Sequence, residues 1–222
     1  SNVSHELKTP ITSMKVLADS LISQEDVPIE LYKEFMTDIA EEIERENKII
    51  TDLLSLVKMD KTSANLNIEN RNLNELIELI LKRLRPIAKQ RNIDVLYESA
   101  REVFAEIDEV KLTLAISNLV ENAIKYNKEY GYVKVSLDAD HQFATIMVED
   151  NGIGIPEEAQ EHIFERFYRV DKSHSREIGG TGLGLAIARN AILLHRGSIK
   201  IDSEEGQGTV FTVKIPIIYV SK

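Results

Sequence analysis

Apolar residues at the start of the chain recur every three or four positions, a spacing that predicts two long helices. The first helix is predicted from Val3 to Ile22, where residues such as Leu7 and Ile11 form one apolar face. Charged residues and Pro28 interrupt the pattern, and a second helix is predicted from about Ile29 to Asp60. Because the connection is short, the two helices should form an antiparallel hairpin.

The second predicted helix carries a heptad pattern of the kind found in helix bundles. The pattern has one polar position, Glu46. Its members are Met36, Ile39, Ile43, Glu46, Ile50, Leu53 and Val57. Two helices cannot enclose a core of their own, so we expect two hairpins to pair as a dimeric four-helix bundle. This hairpin domain is predicted to occupy residues 1–62.

Beyond a short polar linker at residues 60–65, predicted strands and helices are mixed. The predicted strands are 66–68, 93–97, 103–107, 133–137, 143–149, 198–202 and 209–215. The predicted helices follow the capping residues Asn72 and Asp108, span Glu157 to about Phe164, and follow Gly182. Pro86 should bend the first of these helices. This mixture predicts a two-layer α/β domain at residues 66–220, and therefore an α+β chain.

Composition excludes several classes of function. The chain has 222 residues and a net charge of −10, which disfavours nucleic-acid binding and contact with an anionic membrane. It has no cysteine, which excludes disulfides and thiolate metal sites. No apolar run approaches the roughly 18 residues that span a bilayer. A helical pattern is already present at Val3, so we expect a fragment of a longer protein. The absence of cysteine fits a location in the cytoplasm.

Two glycine clusters mark the most informative stretch. Residues 150–156 read Asp-Asn-Gly-Ile-Gly-Ile-Pro, and residues 179–185 read Gly-Gly-Thr-Gly-Leu-Gly-Leu just where a helix is predicted to begin. Glycines usually mark ordinary turns, but two clusters around a basic polar segment indicate a phosphate site at a helix N-terminus. Neither cluster matches the P-loop or the dinucleotide-binding pattern.

A histidine on the first helix is a candidate nucleophile. With an ordinary pKa, His5 would be largely neutral at pH 7, and one ring nitrogen would be free to attack. Glu6 can hold the imidazole tautomer or accept its proton, Thr9 lies one turn further on the same face, and Pro10 should loosen the helix beside the histidine. A plain surface histidine is the alternative interpretation.

Polar residues on a later helix are suited to a nucleotide. Asn118 and Asn122 share a face and can hold Mg²⁺ through amide oxygens, while Lys125 can reach a phosphate. Asp150, at the end of an apolar strand, can accept a hydrogen bond from an exocyclic amine such as that of adenine. The alternatives are a solvated polar face for the helix and a turn-forming role for Asp150. The other four histidines lack metal-ligand spacing, so surface or packing roles are expected for them.

In this order the motifs resemble those of sensor histidine kinases of the HisKA type. The five blocks are similar to the H box at 4–10, the N box at 118–127, the G1 box at 150–154, the F box at 164–168 and the G2 box at 180–185. Residues 206–209 form a third glycine turn. Five motifs in family order make a specific match across essentially the whole chain.

The resemblance implies a phosphotransfer hairpin followed by a catalytic domain of the GHKL ATPase fold, with ATP and Mg²⁺ as cofactors. His5 would be the phosphoacceptor, Glu6 its general base, and Thr9 the residue that positions water when a response regulator is dephosphorylated. Asn122 would ligate Mg²⁺ with support from Asn118. The remaining nucleotide contacts implied by the family are Lys125, Tyr126, Asp150, Gly152, Gly154, Arg169, Arg176, Gly180, Gly182, Leu183, Gly184 and Thr209. Arg169 and Arg176 would belong to a mobile lid at about residues 168–180.

The expected activity is autophosphorylation of His5 from Mg-ATP, followed by transfer to an aspartate on the receiver domain of a response regulator. The expected partners are a second copy of the chain and that regulator, in a bacterium whose full-length protein is membrane-anchored by family analogy. Two other functions stay open: a GHKL ATPase or chaperone-like clamp in which His5 is incidental, and a module that acts mainly as a phosphatase.

Overall fold

The structure, a computed structural model, describes residues 2–24, 26–61, 66–170 and 180–219. Side chains are described for residues 8–24, 26–59, 66–170 and 180–219. The helices are α1 (Asn2–Ile22), α2 (Ile29–Lys61), α3 (Leu73–Gln90), α4 (Glu109–Lys125), α5 (Glu157–Gln160) and α6 (Gly184–Leu194). The strands are β1 (Ile68–Asn72), β2 (Asp94–Ser99), β3 (Phe104–Asp108), β4 (Tyr132–Ala139), β5 (Phe143–Asp150), β6 (Ser198–Glu204) and β7 (Gly208–Pro216).

The helical hairpin predicted from apolar periodicity is confirmed. Helices α1 and α2 pack against each other, and α1 continues through the buried Pro10. Part of the linker at residues 60–65 is helical, since α2 extends to Lys61, and residues 62–65 lie outside the described part. The domain boundaries at 62 and 66 stay a prediction.

The heptad positions of α2 are divided between two faces. Met36, Ile43, Ile50 and Val57 follow at steps of seven and keep 44%, 46%, 47% and 45% of their surface exposed, respectively. Glu46, in contrast, is buried, and burial raises the pKa of its carboxyl group. The exposed column is an apolar seam that the single chain leaves uncovered.

Five of the described strands form the main sheet, in the order β2-β4-β5-β7-β6. Strands β2 and β4 are parallel, and the other neighbouring pairs are antiparallel. Alternate side chains along β4 and β5 are buried beneath the helical layer, as expected for a sheet covered on one face. This arrangement is the predicted two-layer α/β fold.

The helices of the second layer start where capping residues were predicted. The side chain of Asn72 accepts hydrogen bonds from the backbone N–H groups of Asn74 and Glu75, and Asp108 caps α4 by accepting from the backbone N–H of Lys111. The first turns of α3 and α4 are therefore fixed by their own local sequence.

Two local predictions are wrong. The strand predicted at 66–68 lies instead at Ile68–Asn72, where β1 pairs with β3 in a separate antiparallel ladder that alternation alone did not reveal. The helix predicted from Glu157 to about Phe164 ends at Gln160. Beyond Gln160 the N–H groups of His162 and Glu165 donate to carbonyl oxygens three residues back, on Ala159 and His162. Only the N–H of Ile163, among the described residues of this segment, bonds four residues back, to Ala159, so the chain continues as tight turns.

The C-terminal part of α2 packs on the α/β part of the chain. Leu56 is fully buried, Met59 is nearly so, and both belong to the same hydrophobic core as α3, α4 and α6. Leu53, which the heptad register assigned to the seam, packs against this core instead. The hairpin and the α/β part therefore share buried surface.

Among the other histidines, His195 has a packing role that joins two helices. Its side chain is 1% exposed, its Nδ1 lies 2.7 Å from the carbonyl oxygen of Ala191, and its Nε2 accepts the backbone N–H of Asp108 at 2.9 Å. This pattern requires a neutral ring with the proton on Nδ1. His141 and His162 are exposed, as predicted, and His174 lies outside the described part.

Burial lowers the pKa of His195, so this residue should make stability depend on pH. Below the unfolded pKa of about 6.5 the unfolded chain binds a proton that the folded chain excludes, and the contribution of His195 to stability is lost as the pH falls. We expect His195→Leu to be destabilised by about 1–3 kcal/mol at pH 7.5, because it leaves the N–H of Asp108 buried without an acceptor. The difference in the free energy of unfolding between wild type and His195→Leu should become smaller towards pH 5.

Urea unfolding of wild type and His195→Leu from pH 7.5 to pH 5 measures this difference in the free energy of unfolding. Asp108 and Lys111 face the ring and are present in both proteins, so their titration largely cancels in the difference. A gap that stays constant from pH 7.5 to pH 5 would contradict the assignment of a neutral buried His195.

Candidate functional site

Asp150 lies at the end of the central strand β5, beneath the first glycine turn. The side chain is 9% exposed, and its Oδ1 accepts the backbone N–H of Gly152 at 2.8 Å. Burial raises the pKa of Asp150 to about 6, although the bond from Gly152 opposes the shift. A carboxylate held in this way is ionised at neutral pH and can accept a hydrogen bond from an amine.

The first glycine turn contacts the end of α4. A Cβ atom on Gly152 would lie 2.4 Å from the backbone oxygen of Tyr126, and the N–H of Ile153 donates to the same oxygen at 3.1 Å. Only glycine permits this approach. The predicted N-box and G1-box segments therefore meet in the fold.

Asn118 links α4 to the start of α6. Its Nδ2 donates to the carbonyl oxygen of Leu114 at 2.8 Å, and its Oδ1 lies 2.7 Å from the position that a Cβ of Gly184 would take. Asn122 follows one turn later on the same face and is half-buried. Asn118, one of the two asparagines predicted to serve a metal, thus lies beside the second glycine cluster.

Lys125 is the cation at the centre of the site. Its Nζ lies 4.9 Å from the centre of the Tyr126 ring and only 2.0 Å from the Cβ position of Gly180. Burial lowers the pKa of Lys125 to about 8, and the positive charge of Arg169 is the next contribution. A half-buried ammonium group next to another cation is a favourable place for an anion to bind.

The second glycine cluster forms the entry to α6. Gly182 has a φ of +69°, and a Cβ there would lie 2.9 Å from the Cα of Phe167. The N–H of Phe167 donates to the carbonyl oxygen of Gly182 at 2.9 Å, which joins the F-box segment to the glycine turn. Leu183 is fully buried in the core, so its side chain anchors the turn rather than lining a pocket.

Thr209 is paired with Asp150 across the β5–β7 ladder and is 5% exposed. Its hydroxyl lies 2.9 Å from the hydroxyl of Ser203, which also accepts the N–H of Ile155 at 2.9 Å. Ser203 was not predicted to belong to the site, because a serine near the end of a strand does not by itself indicate a binding or positioning role. Ser203 holds the first glycine turn against the β6–β7 hairpin.

Asp52 and Thr181 connect the hairpin to the second glycine turn, a contact that the sequence did not indicate. The hydroxyl of Thr181 donates to Oδ2 of Asp52 on α2 at 2.8 Å and accepts the N–H of Leu183 at 3.2 Å. Burial raises the pKa of Asp52.

The predicted phosphoacceptor segment lies on α1. The backbone of His5 and Glu6 is helical, and their side chains lie outside the described part. Thr9 is exposed, and Arg176 lies outside the described residues. The structure thus brings together the N-box, G1-box, F-box and G2-box segments, and it leaves the chemistry at His5 to be tested.

Metal binding at this site would depend on few protein ligands. Among the described side chains, no group of three or more histidines, aspartates and glutamates is arranged to hold a metal ion. The half-buried amide of Asn122 is compatible with a Mg²⁺ ion whose other ligands are phosphates and water.

The described helices include none that is long and apolar enough to cross a bilayer.

Comparison with known proteins identifies both parts of the chain. Residues 1–62 match the model of the His Kinase A (phospho-acceptor) domain, and residues 107–218 match that of the histidine kinase-, DNA gyrase B- and HSP90-like ATPases. The sensor histidine kinase WalK of Bacillus subtilis is 37% identical over 219 residues, which are 97% of this chain and 36% of that protein. This chain therefore spans about a third of the length of that relative.

Solved structures agree with this likeness. The histidine kinase AdeS of Acinetobacter baumannii superimposes with a TM-score of 0.76 at 25% identity and covers 96% of this chain and 98% of its own. The histidine kinase ThkA, solved in complex with the response regulator protein TrrA, superimposes with a TM-score of 0.78 at 28% identity, over 97% of this chain and 60% of its own.

Proposed function

Because the chain belongs to the sensor histidine kinases with a HisKA hairpin and a GHKL-type ATPase domain, we propose that it phosphorylates His5 from Mg-ATP and passes the phosphoryl group to a response regulator. The observation that best supports this proposal is the convergence of Lys125, Asp150 and the two glycine turns at one end of the sheet. Such a site offers a cation for phosphates and a carboxylate for a base amine.

These positions support the following roles in binding the nucleotide. Asp150 accepts a hydrogen bond from the adenine amine, with Thr209 beside it, and Tyr126 flanks the nucleotide. Lys125 and Arg169 attract the phosphates, and Arg176 joins them from the lid. Gly152, Gly154, Gly180, Gly182 and Gly184 shape the pocket, since glycines allow close approach of the main chain to a ligand. Leu183 contributes by anchoring the last turn in the core.

Phosphoryl transfer then depends on residues of the hairpin. A ring nitrogen of His5 forms a bond to the γ-phosphorus as the bond to the β-γ bridging oxygen breaks, and ADP leaves. Glu6 takes the proton that the imidazole loses. Asn122, with Asn118 beside it, would hold Mg²⁺, which would neutralise phosphate charge when bound.

The same hairpin supports the proposed partners. The exposed seam of Met36, Ile43, Ile50 and Val57 has the heptad spacing that a second copy would cover, so we propose a homodimer. The receiver domain of a response regulator would accept the phosphoryl group on an aspartate, and Thr9, exposed on α1, would position water when that group is removed. The cytoplasm is the compartment that supplies ATP and such regulators.

The test is autophosphorylation with γ-labelled Mg-ATP, with wild type, His5→Gln and Asn122→Ala compared. We expect wild type to gain label that is labile in acid and stable in base, as a phosphohistidine is. Both variants should lose the label at least about 100-fold, because one lacks the nucleophile and the other the proposed metal ligand. Circular dichroism checks that both variants are folded.

Two results would contradict the proposal. Undiminished label in His5→Gln would place the phosphoryl group elsewhere. Continuous ATP hydrolysis that does not depend on His5, without label on the protein, would favour an ATPase clamp.

A further inference from the structure

One face of α2 lies along the candidate nucleotide site. Arg45, Lys48 and Asp52 follow at steps of three and four, so they share that face. Lys48 Nζ lies 3.6 Å from Oε2 of Glu121 on α4, and Asp52 accepts the hydroxyl of Thr181 in the glycine turn. The hairpin helix therefore contacts both elements that carry the site.

The cations of this face act on Lys125. After burial, the contributions that lower the pKa of Lys125 come from Arg169, Lys48, Arg91 and Arg45, in that order. Arg91 also donates from Nη1 to the backbone oxygen of Lys125 at 2.7 Å. Positive charges from α2, the residue after α3 and the segment after α5 thus act on Lys125 of α4.

The carboxylates near these cations neutralise them only in part. Glu121 and Glu42 each lie 3.6 Å from their partners Lys48 and Arg45, which is longer than a charge-assisted hydrogen bond. Two more carboxyl groups face these cations: the charge of Arg45 opposes the burial that raises the pKa of Glu46, and the charge of Lys48 does the same for Asp52. The Nε of Arg45 is buried and has no hydrogen-bond acceptor among the described residues. The two carboxyl oxygens of Glu46 are also buried without a donor among the described residues, so the unpaired guanidinium N–H can serve that carboxyl group or an anion that enters the site.

We propose that Arg45 and Lys48 of the hairpin complete the anion site around Lys125, so that both parts of the chain hold the phosphates of one nucleotide. This inference rests on the proposed nucleotide site and adds residues to it. The hairpin adds its charge only while α2 lies against α4 and the glycine turn. By thermodynamic linkage, a bound polyphosphate must then favour this packed arrangement.

The site should also distinguish nucleotides by charge. Asp150 and Tyr126 recognise the base whether or not phosphates are present. Arg45 and Lys48 contribute only when phosphates reach them, so they should matter most for ATP, less for AMP and not for adenosine. Their effect should decrease with added salt, because surface charges are screened.

Calorimetric titration of the whole chain with ATP, AMP and adenosine in the presence of Mg²⁺ tests this inference. The variants are Arg45→Gln, Lys48→Gln and the double variant. Lys33→Gln, an exposed position on the same helix, serves as the matched control. We expect each single variant to weaken ATP binding about 3- to 10-fold and the double variant about 10- to 50-fold, with adenosine binding unchanged. Lys48→Arg should keep the affinity of wild type, because it keeps the charge.

Each other outcome overturns the inference. If wild type binds ATP and the double variant binds it equally well, the charges of α2 serve only surface pairing and the proposed function stands. If adenosine binding falls together with ATP binding, the variants disturb the fold rather than a phosphate contact. If wild type does not bind ATP, both the inference and the proposed nucleotide site fail.

Discussion

Replacing Asp150 with asparagine is expected to weaken ATP binding about 10- to 100-fold while leaving the protein at least as stable as wild type. A hydrogen bond to a charged group contributes about 1.5–3 kcal/mol, and asparagine offers only a neutral oxygen that already accepts the N–H of Gly152. Titration calorimetry measures the affinity, and thermal unfolding at pH 7.5 measures the stability.

The predicted stability of Asp150→Asn follows from the raised pKa of Asp150 in wild type. Burial lifts it to about 6, above the ordinary value of 3.8, so the ionised carboxylate destabilises the fold at neutral pH. The penalty is full above pH 6 and disappears as the pH falls towards 3.8, because the folded chain then binds the proton more tightly than the unfolded chain. A shift of this size corresponds to roughly 1–3 kcal/mol. The advantage of Asp150→Asn at pH 7.5 should therefore shrink by pH 5.

Inosine triphosphate provides the matched ligand control. Its base has an oxygen where adenine has an amine, so a carboxylate cannot accept a hydrogen bond there. Wild type should prefer ATP, and Asp150→Asn should lose most of that preference while its affinity for inosine triphosphate stays the same or rises. Equal losses for the two nucleotides would show that Asp150 supports the turn rather than reading the base.

Replacing Gly154 with alanine is expected to destabilise the protein by about 2–5 kcal/mol. Gly154 has a φ of +67°, which costs other residues about 1–2 kcal/mol, and a Cβ there would lie 2.0 Å from the backbone oxygen of Glu204. Because that oxygen belongs to a strand, the chain must shift, which adds about 1–3 kcal/mol. The shift separates the first glycine turn from the β6–β7 hairpin, so ATP affinity should fall as well.

Gly206→Ala is the matched control for this substitution. Gly206 also has a positive φ, of +82°, but a Cβ there would have nothing within 4 Å. Only the backbone cost of about 1–2 kcal/mol should remain, with ATP binding intact. Urea unfolding compares the two variants. Equal destabilisation would mean that the contact with Glu204 relaxes at little cost.

Much of the fold follows from local sequence. Helices α1 and α2 were predicted from a three-to-four-residue spacing, and the starts of α3 and α4 from Asn72 and Asp108, because amphipathic faces and side-chain caps involve residues within one turn. The order of the five motifs predicted the family in the same way.

Other features depend on residues far apart in the chain. The pairing of β1 with β3 joins residues from Asn72 and Phe104, which are 32 positions apart, to Ile68 and Asp108, which are 40 apart. The short helix α5 ends where the backbone forms tighter turns rather than at a residue type that marks a helix end. Leu183 looked like part of a binding motif, yet its side chain belongs to the core. The residues next to these positions in the sequence indicate neither the strand pairing, nor the end of α5, nor the burial of Leu183.

The sequence by itself determined the helices, the glycine turns and the residue types of a nucleotide site, because each depends on neighbours within a few positions. Only the tertiary structure shows which part of the chain contacts the face of α2 that carries Arg45, Lys48 and Asp52. It joins Asp52 to Thr181 across 129 positions and brings Arg45 and Lys48 near Lys125. Periodicity shows that a helix has an apolar face, but the partner of that face is chosen by packing over the whole chain.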